Sequence, residues 1–206
     1  MAREGIPYII LFLVPAIIMF AISWWVAGAL LALLAGFMAF FFRDPSRDCP
    51  VDDTIVLSPA DGKVVVVAPV DSSIKDSPTQ VSIFLSPLDV HINRSPIAGE
   101  IVDFAYQPGA FHVASRDIAS VENEQNVVTV RGRLMTLVYR QIAGVLARRV
   151  VFWKKRGDKV EAGERIGLMK FSSRMDVIMP VDVEVLISKG QRVVGGITVI
   201  GRLKKS

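Results

Sequence analysis

Residues 5–42 contain no charged side chain. As one helix this run would be roughly 57 Å long, nearly twice the ~30 Å hydrocarbon core of a bilayer. It is therefore predicted to fold back on itself as a membrane helical hairpin. The bend is expected at Ser23-Trp24-Trp25 and Gly28, where paired tryptophans suit an interface. Each half then holds about 17–19 residues, near the lower limit for a span. Arg3 precedes the run, and Arg43 and Arg47 follow it. Positive charge at both ends predicts both ends on the cytoplasmic side. A cleaved signal peptide is the rival reading. Cutting at the small residues 27–29 would leave a mature chain that starts with another apolar dozen, which counts against it.

Beyond residue 42 the pattern changes abruptly. Arg43-Asp44-Pro45-Ser46-Arg47-Asp48-Cys49-Pro50 carries charges and prolines and marks a boundary, giving an anchor with its linker over 1–48 and a second domain over 49–206. Arg43 and Arg47 are expected to rest on anionic headgroups. Short apolar, β-branched runs then recur between turn signals. Strands are predicted at 55–57, 63–68, 81–85, 99–106, 127–130, 134–142, 150–153, 177–179 and 183–187, with a turn, a short strand and another turn over 157–167. A short helix is expected within 111–125 and a helical turn at 143–149. No long amphipathic helix interrupts them, so the fold class is mainly β. A weak repeat relates Ser58-Pro59-Ala60-Asp61-Gly62-Lys63-Val64 to Met179-Pro180-Val181-Asp182-Val183-Glu184-Val185. Paired segments of this kind build the sandwich of lipoyl and biotinyl carriers, whose cofactor sits on a lysine at an exposed hairpin. Here that place holds Ser172-Ser173-Arg174, and Lys170 falls short of the tip.

Composition narrows the chemistry. The 206 residues are 51% hydrophobic and carry a net charge of +4, with a pI near 9.4. Such a balance suits nucleic acid or an anionic membrane surface; the partners expected for the whole chain are an anionic membrane surface and no nucleic acid. One cysteine, Cys49, excludes an internal disulfide, and with two histidines a structural zinc site is not expected. There is no G-x-S-x-G elbow and no phosphate loop. A serine pair between strands is ordinarily turn chemistry. One reaction open to it without metal or bound cofactor is attack on its own backbone. The Ser173 hydroxyl adds to the carbonyl of residue 172, an ester forms, and elimination leaves a new C-terminus at Ser172 and a pyruvoyl group at 173. That ketone captures amines as a Schiff base.

Several motifs in one order carry a resemblance. They are Phe41-Phe42-Arg43-Asp44-Pro45, Ser58-Pro59-Ala60-Asp61-Gly62 and Phe84-Leu85-Ser86-Pro87-Leu88-Asp89-Val90-His91-Ile92-Asn93-Arg94. Gln141-Ile142-Ala143-Gly144 with Ala147-Arg148-Arg149, and Lys170-Phe171-Ser172-Ser173-Arg174-Met175-Asp176, complete the set. Together they resemble the short, membrane-anchored form of phosphatidylserine decarboxylase. The resemblance implies autocatalytic cleavage between Ser172 and Ser173 into chains 1–172 and 173–206, and a covalent pyruvoyl cofactor derived from Ser173. It implies conversion of phosphatidylserine to phosphatidylethanolamine and carbon dioxide through a Schiff base. Ser173, His91 and Asp61 are the implied catalytic set, with His91 taking the serine proton and Asp61 orienting the imidazole. Arg94, Lys170 and Arg174 are candidates for binding the substrate's carboxylate or phosphate. The expected location is the inner cell membrane with the catalytic domain on the cytoplasmic side, and a homo-oligomer is left open. Two departures stand out. The family normally has Gly-Ser at the cut, and its longer members carry a second histidine where this chain has Arg94. A different class, an uncleaved, non-enzymatic lipoyl-like binding module or an inactive relative, is the alternative.

Overall fold

Ser23 breaks the apolar run. Its φ of +62° is a left-handed conformation that ends a helix, and the chain reverses there. The computed structural model describes residues 1–110, 112, 122–144, 150–170 and 173–204. They form two units, Met1–Ser46 and Arg47–Ser206. In the first, α1 (Ile6–Ala21) follows a short 3-10 turn at Arg3–Gly5 and is answered by α2 (Trp25–Phe41). The N–H groups of Ile22 and Trp24 bond back to the carbonyls of Ile18 and Met19, closing α1 at the predicted bend. At the far end the Ala2 N–H donates to the Phe42 carbonyl at 2.9 Å, and the Tyr8 and Phe42 rings stack. The two helices are therefore antiparallel. They approach over small residues: Ala16 and Ala35 are buried, and a side chain at Gly28 would lie 2.7 Å from the Phe20 ring. The stretch Arg3–Ala21 is long and apolar enough to cross a membrane, while the 17 residues of α2 fall at the short end of that range.

The second unit is mainly β. Its strands are β1 (Ile55–Leu57), β2 (Gly62–Pro69), β3 (Thr79–Leu85), β4 (Ile92–Arg94), β5 (Gly99–Gln107), β6 (Gln125–Arg131) and β7 (Thr136–Ile142). They continue with β8 (Val150–Phe152), β9 (Lys159–Val160), β10 (Arg165–Met169), β11 (Ser173–Met179), β12 (Val183–Val185), β13 (Arg192–Val193) and β14 (Val199–Leu203). Eight of them form one curled antiparallel sheet in the order β13-β2-β3-β11-β7-β6-β5-β9. Two three-stranded sheets, β1-β14-β12 and β4-β10-β8, pack against it around a shared core. Val64, Ile83, Leu137 and Met175 contribute from the large sheet, Val56 and Ile200 from one small sheet, and Ile166 and Met169 from the other.

Most boundaries fall within two residues of expectation, and three differences bear on the packing. The strand predicted from 134 starts at Thr136, because Gly132 and Met135 close a turn that leaves Leu134 exposed. The strand predicted over 183–187 stops at Val185. The strand predicted at 177–179 reaches back to Ser173, which pairs with Leu85 of β3, and from Arg174 onward it is paired on β7 as well. The helical segments predicted within 111–125 and 143–149 fall largely outside the described residues.

Candidate active site

Three strands of the large sheet end together. In the register of β2, β3 and β11, Lys63 faces Phe84 and Ser173 faces Leu85, so Asp61, Leu85 and Ser173 share one end of the sheet. Gly62 makes this possible. With φ +155° it runs so close to β3 that an added Cβ would stand 2.1 Å from the Phe84 carbonyl oxygen. The chain leaving Leu85 then makes a tight turn stapled by Asp89. Its Oδ2 accepts from the Ser86 N–H at 2.8 Å and the Ser86 hydroxyl at 2.7 Å, while its own N–H donates to the Ser86 carbonyl. This turn delivers His91, whose carbonyl accepts from the Met169 N–H at 3.2 Å. Met169 and Ser173 are thus fixed at the two ends of the same 86–91 loop, one against His91 and the other against Leu85. The bond expected to be cut, between residues 172 and 173, ends at the second of those points. Ser172 itself lies outside the described residues.

The side chains occupy distinct environments. Ser173 is fully buried, and among the described residues its Oγ has no hydrogen-bond partner. A dry hydroxyl left without a partner ordinarily costs on the order of 1–3 kcal/mol, so its retention needs a reason. His91 is 2% exposed, and its Nδ1 lies 2.9 Å from the Asp89 carbonyl oxygen. A carbonyl only accepts, so Nδ1 carries a proton; in the neutral ring the lone pair would then be at Nε2.

The partners described for Asp61 are a guanidinium and a backbone amide. Its two oxygens are gripped by Arg47, Nη1 to Oδ1 at 2.6 Å and Nη2 to Oδ2 at 2.8 Å, and Oδ1 also accepts from the Gly195 N–H at 2.8 Å. Arg47 bonds the Gly195 carbonyl as well, closing the ring of contacts. The Asp89 carbonyl is one partner of the imidazole, and a guanidinium holds the Asp61 carboxylate. Arg47, expected on lipid headgroups, has only 8% of its side chain exposed.

Two of the three expected headgroup ligands are buried and bonded to the protein. Arg174 is 1% exposed; its Nε–H donates to Asp176 Oδ1 at 2.6 Å and its Nη2 to the Ser82 hydroxyl at 2.7 Å. Strand alternation puts Ser173, Met175 and Val177 toward the core and Arg174 and Asp176 on the opposite face. Arg94 is 5% exposed and donates to the Gly163 carbonyl at 2.8 Å. Both cations are committed to the protein's own oxygens. Lys170 is half-buried, the one member of the trio with appreciable exposure. His112 is exposed and pairs with Glu122 at 2.9 Å, as a surface loop histidine does.

Sequence reasoning missed three contributors. Arg47 is fourteen residues from Asp61, and nothing local links them. Asp89 was legible, since Ser-x-x-Asp is a turn staple. The third is a buried amide chain in which Asn126 donates to Gln141 at 3.2 Å and Gln141 donates to Asn93 at 2.8 Å. It ties the large sheet to β4, two residues from His91.

The family model described as phosphatidylserine decarboxylase matches residues 34–201. A protein of Solibacter usitatus named phosphatidylserine decarboxylase proenzyme is 50% identical over 182 residues, covering 86% of each chain. One of the same name from Symbiobacterium thermophilum is 45% identical over 98% of this chain and 95% of its own. Another, from Carboxydothermus hydrogenoformans, is 42% identical over 99% and 97%. The chain therefore belongs to the phosphatidylserine decarboxylase family of carboxy-lyases.

Proposed function

We propose that the chain is made as a proenzyme, cuts itself between Ser172 and Ser173, and then decarboxylates phosphatidylserine to phosphatidylethanolamine. The observation that carries this reading is the buried Ser173 hydroxyl, without a hydrogen-bond partner among the described residues, at the strand end served by the His91 loop. His91 Nε2 accepts the hydroxyl proton as Oγ adds to the carbonyl carbon of residue 172. The C–N bond breaks and an ester joins residue 172 to Oγ. Loss of the Cα proton of residue 173 expels the Ser172 carboxylate and leaves a dehydroalanine. Water then replaces its nitrogen, which departs as ammonia, and the residue becomes a pyruvoyl ketone. The pieces are 1–172 and 173–206. The relatives' name, proenzyme, agrees with such a maturation.

The site fits a pyruvoyl group at 173, because the position is buried, fixed by β pairing on β3, and at the strand end that the His91 loop serves. That ketone supplies an electrophile for the substrate's amine and a sink for the electrons released with carbon dioxide. His91 holds the proton that the product carbon needs. Asp61, Arg47 and Gly195 form a rigid wall beside β2, and Lys170 is the cation best exposed to meet the substrate's phosphate or carboxylate. The helical hairpin would keep the domain at the membrane that holds the acyl chains, with both hairpin ends and the site on the cytoplasmic face of the inner membrane.

Release of labelled carbon dioxide from carboxyl-labelled phosphatidylserine in detergent micelles tests the activity. Release by the parent chain, absent in Ser173→Ala and abolished by an amine with cyanoborohydride, is the expected result. Equal release from Ser173→Ala would overturn the proposal. A chain that neither cuts nor releases carbon dioxide would favour the anchored binding module.

A further inference from the structure

Two exposed turns flank the site, and each is pinned to one of its carboxylates. The first carries Leu88, 66% exposed, at the tip of the Ser86–Asp89 turn. The second carries Val194, 43% exposed, and Ile197, 39% exposed, joined by an N–H from Ile197 to the Val194 carbonyl. Arg192 bonds Asp89, so the strand leading into the second turn is tied to the first. Gly195, inside the second turn, donates its N–H to Asp61. Cations surround the apolar tips. Lys63 and Arg192 are register partners on β2 and β13, both are exposed, and exposed Lys189 lies just before β13. Isolated exposed apolar residues are ordinary. Three of them on two turns, each held beside the same buried site and rimmed by lysine and arginine, form a surface.

We propose that this rim, Leu88, Val194 and Ile197 with Lys63, Lys189 and Arg192, is a docking face that inserts into the surface of a bilayer containing anionic phospholipid. The inference rests on the reading that the site takes a lipid substrate. It adds that the soluble unit itself meets the membrane, through turns separate from the helical hairpin. The chemistry of the rim matches that occupant. Apolar tips enter the acyl boundary while ammonium and guanidinium groups meet phosphates. A lipid headgroup can then pass to the site without its acyl chains leaving the bilayer.

The sheet supplies its own control. Ile74 is 59% exposed on the turn joining β2 to β3. It lies at the other end of those strands, about 20 Å from the rim at the usual rise per strand residue. The full chain, carrying Cys49→Ser and one of Leu88→Cys, Val194→Cys or Ile74→Cys, is labelled with an environment-sensitive fluorophore. It is reconstituted into vesicles containing phosphatidylglycerol and a lipid-borne quencher. Quenching with a blue shift at 88 and 194, weak at 74, and reduced in purely phosphatidylcholine vesicles, is the expected result. Equal signals at all three positions, no quenching at 88 and 194, or no dependence on anionic lipid would overturn the proposal. Activity separates the docking face from the reaction. Leu88→Asp with Val194→Asp should lower decarboxylation of bilayer phosphatidylserine about tenfold, the loss expected when apolar tips no longer insert. Release from a soluble short-chain substrate should stay within about twofold, since neither residue belongs to the site. Equal losses on both substrates would contradict the docking role. A parent inactive on both would refute the lipid reaction, while the quenching pattern would still decide the surface.

Discussion

Arg47 grips both carboxylate oxygens of Asp61, at 2.6 and 2.8 Å, from a linker position that sequence reading gave to lipid headgroups. The fork geometry explains the choice of arginine, since only a guanidinium meets a carboxylate with two parallel N–H bonds. Arg47→Ala should slow self-cleavage at least tenfold and destabilise the domain by about 2–4 kcal/mol, because Asp61 keeps its half-buried charge without its partner. Arg47→Lys should recover part of the stability and little of the cleavage rate. Denaturant titration and a timed gel assay measure the two. Parent-like cleavage in Arg47→Ala would reduce the pair to a surface contact.

His91→Ala should leave the fold intact and block cleavage, as the base at Nε2 is gone. Its effect should exceed that of Asp89→Asn. The Asp89 carbonyl that orients the ring belongs to the backbone and survives the substitution, whereas the loop staple at Ser86 weakens. If the two variants cut equally fast, the imidazole has no special part in maturation.

Arg174 was a candidate for binding substrate, and it and its partner Asp176 are buried, at 1% and 0% exposure. Asp176→Ala should destabilise the domain by about 3–5 kcal/mol, since it strands a buried guanidinium. A joint replacement of Arg174 and Asp176 by apolar residues should cost less than the single change. Thermal unfolding of the three proteins tests this, and additive losses would show that the charges do not act as a pair.

Much of the fold was legible because it rests on local patterning. The uncharged run gave the hairpin, and Ser23-Trp24-Trp25 gave its bend. The β-branched runs gave β1, β2, β3, β5 and β6 within two residues at each end. What escaped is non-local. β4, β13 and β14 are too short or too mixed to show a period, and they exist because neighbours supply their hydrogen bonds. The candidate site divides the same way. Ser173 and His91 sit in recognisable motifs, whereas Asp61 and Arg94 find partners in distant linker and turn segments, and Arg174 reaches Ser82 across the pairing of β11 with β3.

Tyr139 offers a pH test of the core. Its ring is fully buried, its hydroxyl has no hydrogen-bond partner among the described residues, and burial raises its pKa well above the usual value near 10. The folded state then holds its proton where the unfolded chain releases it. Stability from this group is complete below pH 10 and is lost as pH rises beyond it, by up to about 1.4 kcal/mol per pH unit. Tyr139→Phe should flatten that alkaline slope and be neutral or stabilising at pH 7. An unchanged slope would place the alkaline loss elsewhere.

Gly62→Ala tests the strand ends directly. The added methyl meets the Phe84 carbonyl oxygen at 2.1 Å, a backbone atom that cannot step aside. The register that aligns Asp61, Leu85 and Ser173 should loosen, with loss of both stability and cleavage. Cleavage at the parent rate would mean that the alignment is not needed.

Intact-mass analysis of the purified protein tests the central claim most directly. The account predicts two species, 1–172 and 173–206, with the smaller one lacking an α-amine, bearing a ketone, and gaining mass on treatment with an amine and cyanoborohydride. Ser172→Gly should cut at least as readily, since glycine relaxes the backbone at the scissile bond, and Ser173→Ala should remain whole. A single full-length species in both the parent chain and Ser172→Gly would contradict the account.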